Sequence, residues 1–274
     1  MSEPGSGART ARVTALADAI SSERDDVVAE EEPLEIQVNG VSCAVVMRTP
    51  GHDEELALGF LVTERIVKRT ADVVSLRHSS VAPEPHAEDN VLAVVLAPDV
   101  DPAFGRLRRN TFASASCGIC GKATISAALA SGGPVRSSLV VDVELLYEMP
   151  TRLRQQQSTF ERTGGLHAAA LFDDAGRLLV LREDVGRHNA VDKVIGWAAR
   201  EGASAERLVL LVSGRISYEI VQKAAAFGVP IVAGISAPTS LAIEAAAALD
   251  VTVAGFLRGK TVNVYSAPRR IVCR

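Results

Sequence analysis

Leu208-Val209-Leu210-Leu211-Val212-Ser213-Gly214-Arg215-Ile216-Ser217 leads directly into Tyr218-Glu219-Ile220-Val221-Gln222-Lys223-Ala224-Ala225-Ala226-Phe227. An unbroken aliphatic run closed by Ser-Gly predicts a strand buried on both faces. The stretch after it contains no Gly or Pro and predicts a helix over Tyr218–Phe227. The pattern then recurs, with a strand at Pro230–Ala233, a helix at Leu241–Leu249, a strand at Val251–Phe256 and a short last strand at Val262–Tyr265. Upstream, Ala168–Phe172 and Leu178–Leu181 pair around Asp173-Asp174-Ala175-Gly176, and His188–Arg200 is helical. Apolar strands alternating with helices of this length predict a largely parallel, three-layer α/β unit.

The N-terminal half has a different texture. Leu34, Ile36 and Val38 alternate with polar residues, Asn39-Gly40 supplies a two-residue turn, and Val41–Met47 follows as the partner strand. After Thr49-Pro50-Gly51-His52, Asp53 can cap a helix running to about Lys68. Val73–Arg77 and Val91–Leu96 read as strands. Gly132-Gly133-Pro134 marks a boundary, giving a smaller α+β region over 33–133 and a ligand-binding α/β domain over 134–274. Asp142–Gln157 reads as a helix with a kink or break at Pro150, and Thr163-Gly164-Gly165 as a tight turn. Residues 1–32 are polar and acidic, with Glu30-Glu31-Glu32 at their end, and read as a mobile tail.

The 274 residues are 47% apolar but only 4% aromatic, and the net charge is −4. This balance makes no case for a general nucleic-acid or anionic-membrane binder. No apolar run approaches the about 20 residues of a membrane span. The first residues lack the features of a secretory signal, so a cytoplasmic location is expected. In a reducing compartment a CxxC points to metal binding, redox work or catalysis before a structural disulfide.

One such pair exists, in Ser116-Cys117-Gly118-Ile119-Cys120-Gly121-Lys122, with a short Ala-rich helix predicted behind it over Ala123–Ala130. A loop that opens a helix directs N–H groups and partial positive charge at a thiol and favours thiolate. The flanking glycines let another molecule's sulfur approach. Cys117 or Cys120 is the candidate reactive atom. A structural zinc site would need Cys43, Cys273 or a histidine to converge, and there is no second CxxC or HxxxH. A thioredoxin-like site would need a βαβ setting that is missing. His86-Ala87-Glu88 upstream matches half of a zinc-deaminase signature, but Ser116 stands where its proline belongs, and His86 lies in a loop leading to a strand.

A ligand of an open α/β sheet sits beyond the carboxyl ends of the strands. The stretches there are Arg182–His188, Ser213–Ser217, Gly234–Ser240 and Leu257–Thr261, each rich in Gly, Ser, Thr or cationic groups. Three of the four open a helix, which suits a phosphorylated ligand. Taken singly, Ser and Gly at a helix start are ordinary capping groups. His167 and His188 are candidate acid–base groups on these loops, against the plainer roles of starting a strand and a helix. No GxGxxG follows a strand and no GxxxxGK[ST] occurs, which argues against dinucleotide-type and Walker-type binding.

These residues resemble the FdhD family of sulfur carriers. The likeness lies in Cys117-Gly-Ile-Cys120-Gly, Phe160 through Ala169, Arg182 through Gly196, Ser213 through Glu219, Ser236 through Ala242, and Gly255 through Gly259. It runs from about residue 34 to the C-terminus. The resemblance implies a cytidine deaminase-like core, a homodimer, and a sulfurtransferase activity. Sulfur would come from a cysteine desulfurase as a persulfide on Cys117, with Cys120 beside it. It would pass to the molybdenum cofactor in its bis-guanine dinucleotide form, bound as substrate before insertion into formate dehydrogenase. No cofactor of its own and no metal are implied. The same likeness places the cofactor-binding segment on Phe256, Leu257, Arg258, Gly259, Lys260 and Thr261. Ser213, Gly214, Arg215, Ser236, Thr239 and His188 line the same expected crevice. The alternative reading is a zinc-dependent deaminase-like protein, or a structural zinc protein, built on the CxxC.

Overall fold

The computed structural model describes residues 7–79, 89–100 and 133–273. Residues 8–29, expected as a mobile tail, form an antiparallel hairpin of β1 (Ala8–Ala17) and β2 (Ile20–Ala29). Its two-residue turn is Asp18-Ala19, with φ of 50° and 63°, the primed-turn geometry usually signalled by Asn-Gly. Arg12 reaches across the ladder to Glu23 at 3.1 Å and Asp25 at 3.3 Å.

A second sheet carries β3 (Glu32–Val38), β4 (Val41–Arg48), β5 (Val73–His78) and β6 (Val91–Leu96) in the order β4-β3-β6-β5. The expected Asn39-Gly40 turn is present, both residues having positive φ. Leu34, Ile36, Val38, Leu92 and Val94 bury one face of this sheet under α1 (Asp53–Thr63). The helix stops five residues short of Lys68, because Arg65 takes φ of 58° and turns the chain. Asp53 is not its cap: His52 holds that position in a left-handed conformation, and the Asp53 carboxylate receives Arg48 at 2.9 Å instead.

The C-terminal half begins with β7 (Val141–Asp142), α2 (Val143–Gln155) and α3 (Ser158–Thr163). Pro150 lies inside α2 without ending it, and Asp142 caps the helix through the Glu144 N–H at 3.0 Å. Then come β8 (His167–Phe172), β9 (Leu178–Asp184), α4 (Arg187–Arg200), β10 (Val209–Val212), α5 (Tyr218–Phe227), β11 (Ile231–Gly234), α6 (Ser240–Ala248), β12 (Thr252–Arg258), β13 (Thr261–Ser266) and β14 (Ile271–Val272). Six of these strands form one sheet in the order β13-β12-β11-β10-β8-β9.

The α/β class and three layers expected from sequence are present, but the sheet is mixed. Only β10-β11 and β11-β12 are parallel, while β8-β9, β8-β10 and β12-β13 are antiparallel. The reason is connection length: Asp173–Arg177 and Gly259-Lys260 are hairpin loops, too short for a crossover. Strand residues alternate between two cores. Ala169, Leu171, Leu210, Val232 and Val253 meet α4, α5 and α6 on one face. Ala168, Ala170, Phe172, Leu211 and Leu257 meet Leu146, Met149 and Leu153 of α2 on the other.

The two halves lock through α1 against α4. A Cβ added to Gly59 would lie 1.8 Å from the Asp192 carbonyl oxygen, and one added to Gly196 would lie 1.8 Å from that of Glu55. The backbones therefore touch where only hydrogen fits. Buried polar groups fix the register of this seam. Thr49 N–H donates to Asp184 at 3.2 Å, Lys193 Nζ donates to the Thr49 carbonyl at 2.8 Å and pairs with Asp184 at 2.8 Å, and Lys223 pairs with Asp192 at 2.8 Å. Burial opposes the charge on Lys223, but Asp192 and Glu64 outweigh it and hold the ammonium above its usual range. Glu55 takes both Arg182 at 2.6 Å and Arg200 at 2.9 Å. Removing one partner of such a buried pair leaves an uncompensated charge, so these contacts specify how the halves meet.

Candidate functional site: the carboxyl edge of the six-stranded sheet

Strand β9 opposes β8, and β8 opposes β10, so β9 runs with β10, β11 and β12. All four carboxyl ends therefore open on one edge, as do the start of β8 at His167 and the start of β13 at Thr261. The loops there are tied to one another. Ile216 bridges Pro238, Thr239 N–H donates to the Ile216 carbonyl at 3.0 Å, and Phe256 N–H donates to the Ser236 carbonyl at 3.1 Å.

At one end of this edge lie His167, Arg187, His188, Gly214 and Arg215. A Cβ on Gly214 would stand 3.3 Å from His167 Nδ1 and 3.7 Å from Arg187 Cδ, so the loop packs its backbone against both side chains. Ser213 is committed: its hydroxyl accepts the Ala168 N–H at 2.9 Å. Arg187 Nε is buried without a hydrogen-bond partner among the described residues. Arg270 Nε shares that condition, but its guanidinium grips Asp250 at 2.8 Å through Nη2. Neither Gly186 before α4 nor Ser217 before α5 caps its helix through a side chain. Two helix N-termini thus reach this edge, that of α5 with its Glu219 N–H already taken by the Glu219 carboxylate.

The imidazoles register a positive surrounding. Burial, then Arg187, then Arg215 lower the His167 pKa against the pull of Asp184. His188 is lowered to about 4, chiefly by burial and then by Arg187 and Lys223. Its Nε2 is 3.2 Å from Ser217 Oγ. Ser217 hydrogen-bonds Glu219, and an ionised carboxylate can only accept, so the hydroxyl proton goes to Glu219. Ser217 Oγ then accepts from His188 Nε2–H, which fixes the tautomer and leaves Nδ1 as an acceptor. Asp184 is spoken for by Lys193, Thr49, Gly186 and Asn189. Glu183 caps α3 through the Thr159 and Phe160 N–H groups at 3.0 and 2.7 Å.

The neutral state of His188 carries a pH signature. Its folded pKa lies below the ordinary 6.5, so the unfolded chain binds the proton more tightly. The stabilisation is complete above pH 6.5 and is lost as pH falls towards 4, by up to about 3 kcal/mol. Urea unfolding of wild type and His188→Gln across pH 4–7 is expected to show a shallower acid decline in the variant. Parallel declines would contradict this.

The other end of the edge is the β12–β13 hairpin, Phe256 to Thr261. Phe256 adopts φ of +52°, a left-handed backbone uncommon for a bulky aromatic residue, yet the residue is 38% exposed. The Arg258 guanidinium lies 5.8 Å from its ring centroid, and Arg258 Nε also donates to the Ile235 carbonyl at 3.4 Å. A strained backbone that presents an aromatic ring to solvent is typical of ligand contacts. Leu257 points the opposite way and is fully buried in the α2-side core. Gly259 and Lys260 form the exposed turn, and Thr261 Oγ1 donates to the Arg258 carbonyl at 2.9 Å. Arg215 is exposed, the Ser236 carbonyl holds Phe256, and Thr239 caps α6 through the Ala242 N–H at 3.3 Å.

A separate cavity of about 220 Å³ opens at the seam, lined among others by Thr49, His52, Thr159, Leu166, Arg182 and Lys193. Its cations are already matched by Glu55 and Asp184. Cys117, Cys120 and the His86-Ala87-Glu88 stretch lie outside the described residues. Among the described residues no group of three metal-ligating side chains converges, and no helix is long and apolar enough to cross a membrane. In the sequence Arg187 stands out only as part of the Arg182–His188 loop. Its position beside His188, one residue after a glycine at a helix start, was the available signal. The Ser217–Glu219 link had none, because it depends on how α4 and α5 meet.

Fold and site together define a mixed α/β protein whose sheet edge gathers cationic, amide and aromatic groups. The chain belongs to the FdhD/NarQ family, whose profile matches residues 29–272. It is 45% identical over 272 residues to "Sulfur carrier protein FdhD" of Streptomyces coelicolor, covering 96% of this chain and 95% of that one. Proteins of the same name are 47% identical in Mycobacterium tuberculosis, over 90% of this chain and 92% of the relative, and 43% identical in Saccharolobus solfataricus, over 93% and 94%. A crystal structure from Desulfotalea psychrophila, presented as a formate dehydrogenase accessory protein, superposes with a TM-score of 0.76 at 24% identity, covering 97% of this chain and 99% of that one. That likeness bears on the fold.

Proposed function

We propose that this chain is a cytoplasmic, homodimeric sulfurtransferase that carries sulfur as a persulfide on Cys117. The observation that carries the reading is the family match over 29–272, to which relatives named as sulfur carriers belong, on a chain that contains a CxxC. The donor is a cysteine desulfurase. The acceptor is the molybdenum cofactor in its bis-guanine dinucleotide form, held as substrate at the sheet edge before insertion into formate dehydrogenase.

In loading, the Cys117 thiolate attacks the outer sulfur of the donor persulfide, the donor S–S bond breaks, and the donor leaves as thiolate. In delivery, sulfur leaves as sulfide and takes two electrons. Attack of the Cys120 thiolate on the Cys117 sulfur supplies them and closes a disulfide, which a cellular thiol then reduces. The Ser213–Ser217, Ser236–Ser240 and Phe256–Thr261 loops hold the guanine dinucleotide phosphates and rings.

Intact-mass measurement after incubation with a desulfurase and cysteine tests the reading. A gain of one sulfur atom, lost in Cys117→Ala, is the expected result. No gain in wild type, or stoichiometric zinc that disappears in Cys117→Ser, would overturn it in favour of a zinc protein.

A further inference from the structure

We propose that the free edge of β1 pairs with β1 of a second copy, antiparallel about a two-fold axis at Val13, so that two N-terminal hairpins form one four-stranded sheet. The proposal rests on the homodimer reading above and names a contact that reading lacks.

The hairpin is an arm without a core of its own. Its base is fixed: Ala8 is buried, the Glu30 N–H donates to the Gly7 carbonyl at 3.0 Å, and the Ala29 side chain lies 3.2 Å from where a Cβ on Gly165 would stand. Beyond that base no residue from Arg9 to Asp26 is buried. At the tip Leu16 and Ile20 are 77% and 70% exposed. Two strands alone are marginally stable in water, so an arm of this length gains from a third and fourth.

Strand β1 has β2 on one side and, among the described residues, no strand on the other. It contains no Pro, Lys or carboxylate, the residues that commonly block an edge, whereas β2 is guarded by Glu23, Asp25 and Asp26. Arg12 is matched inside its own hairpin by Glu23 and Asp25, so two β1 strands meet without a bare cation at that position.

A second copy is the occupant because the strand complements itself in one register. The bond closing the two-residue turn joins the Ile20 N–H to the Ala17 carbonyl, and alternation then aims the N–H and C=O of Thr10, Arg12, Thr14 and Leu16 away from β2. A ladder needs these outward residues opposite one another. Centring on Arg12 would set like charges face to face. Centring on Val13 sets Arg12 opposite Thr14 and Thr10 opposite Leu16, and uses the strand from Arg9 to Ala17 in both copies. Ala11, Val13 and Ala15 then make one apolar stripe across the axis. The arrangement is isologous and closes at two chains.

Sedimentation equilibrium and cross-linking of the full chain test the pairing. Val13 faces itself at a non-hydrogen-bonded position, where Cα atoms lie about 4.5 Å apart, within reach of a disulfide. Diamide oxidation of Val13→Cys is expected to join two chains at position 13, identified by the mass of the linked peptides. Thr14→Cys should not link at position 14, which lies out of line with itself in this register. Thr14→Pro removes an N–H that points away from β2, so the hairpin keeps its own ladder while the dimer loses two bonds. Its dissociation constant should rise by about tenfold or more. No link at position 13, a link at position 14 instead, or an unweakened Thr14→Pro dimer would overturn the pairing and leave the homodimer standing. A wild-type chain that is monomeric throughout would overturn both.

Discussion

Cys117→Ala should reduce formate dehydrogenase activity to background in a strain that depends on this chain, while the purified variant unfolds at the wild-type midpoint. The expected loss is roughly 10³-fold or more, the scale that follows deletion of a nucleophile. Cys43 and Cys273 are set aside as substitutes by different means. Cys43 is buried in the β3–β6 core, where burial, with help from Glu64, pushes its thiol up to about 12. At neutral pH only about one molecule in 10⁵ would carry that thiolate, too few to sustain exchange chemistry. Cys273 is exposed and free, so it needs the experimental control: Cys273→Ala is expected to leave activity unchanged. Cys120→Ala separates the two sources of delivery electrons. If Cys120 closes the disulfide, the variant should load one sulfur and fail to release it, whereas undiminished release would assign the electrons to the acceptor. Full enzyme activity in the Cys117→Ala strain would end the carrier reading.

The legible parts of this fold are those where local chemistry and tertiary packing agree. The Tyr218–Phe227 helix matches its predicted bounds, because an apolar face backed by Ile220, Val221 and Ala224 faces the sheet with no competing turn signal. The Asn39-Gly40 hairpin follows from turn chemistry alone. The gathering of Arg182–His188, Ser213–Ser217, Gly234–Ser240 and Leu257–Thr261 at one edge also followed, since a loop after each co-directed strand must emerge on the same side. What escaped was non-local. Asp18-Ala19 adopts a primed turn with no glycine to announce it, so the β1–β2 hairpin looked like tail. The pairing of β8 with β9 around Asp173–Gly176 followed from its turn, whereas β10 beside β8 and the return of β13 onto β12 depend on strand order, which no local pattern states. The burial of Lys193, Asp184, Asp192 and Lys223 carries no local signal, because it rests on pairs made only when the elements pack together. The same holds for Arg187, whose buried Nε has no hydrogen-bond partner among the described residues.

Gly196→Ala provides the strongest structural test, because its sign is unusual. Within an exposed helix, Gly to Ala is favourable by about 1 kcal/mol. Here the new Cβ would lie 1.8 Å from the Glu55 carbonyl oxygen and 2.8 Å from Gly59 N, both backbone atoms that cannot rotate away. Helices α1 and α4 must separate. That movement strains the contacts of Glu55 with Arg182 and Arg200, and of Asp192 with Thr63. A destabilisation of about 3 kcal/mol or more is expected, at the upper end of overpacking effects and beyond. For a chain of this size that corresponds to a fall in Tm of about 6–12 °C. Gly133→Ala is the matched control, since its Cβ meets nothing within 4 Å, and it should unfold at or slightly above the wild-type temperature. The seam also bears on the site, because α4 presents Arg187 and His188 at its N-terminus. GDP affinity should therefore fall in Gly196→Ala even below its unfolding transition, while Gly133→Ala binds as wild type does. A Gly196→Ala protein as stable as wild type would mean that α1 and α4 do not meet backbone to backbone, and the two halves would then have to be joined by the buried ion pairs and hydrogen bonds of the seam.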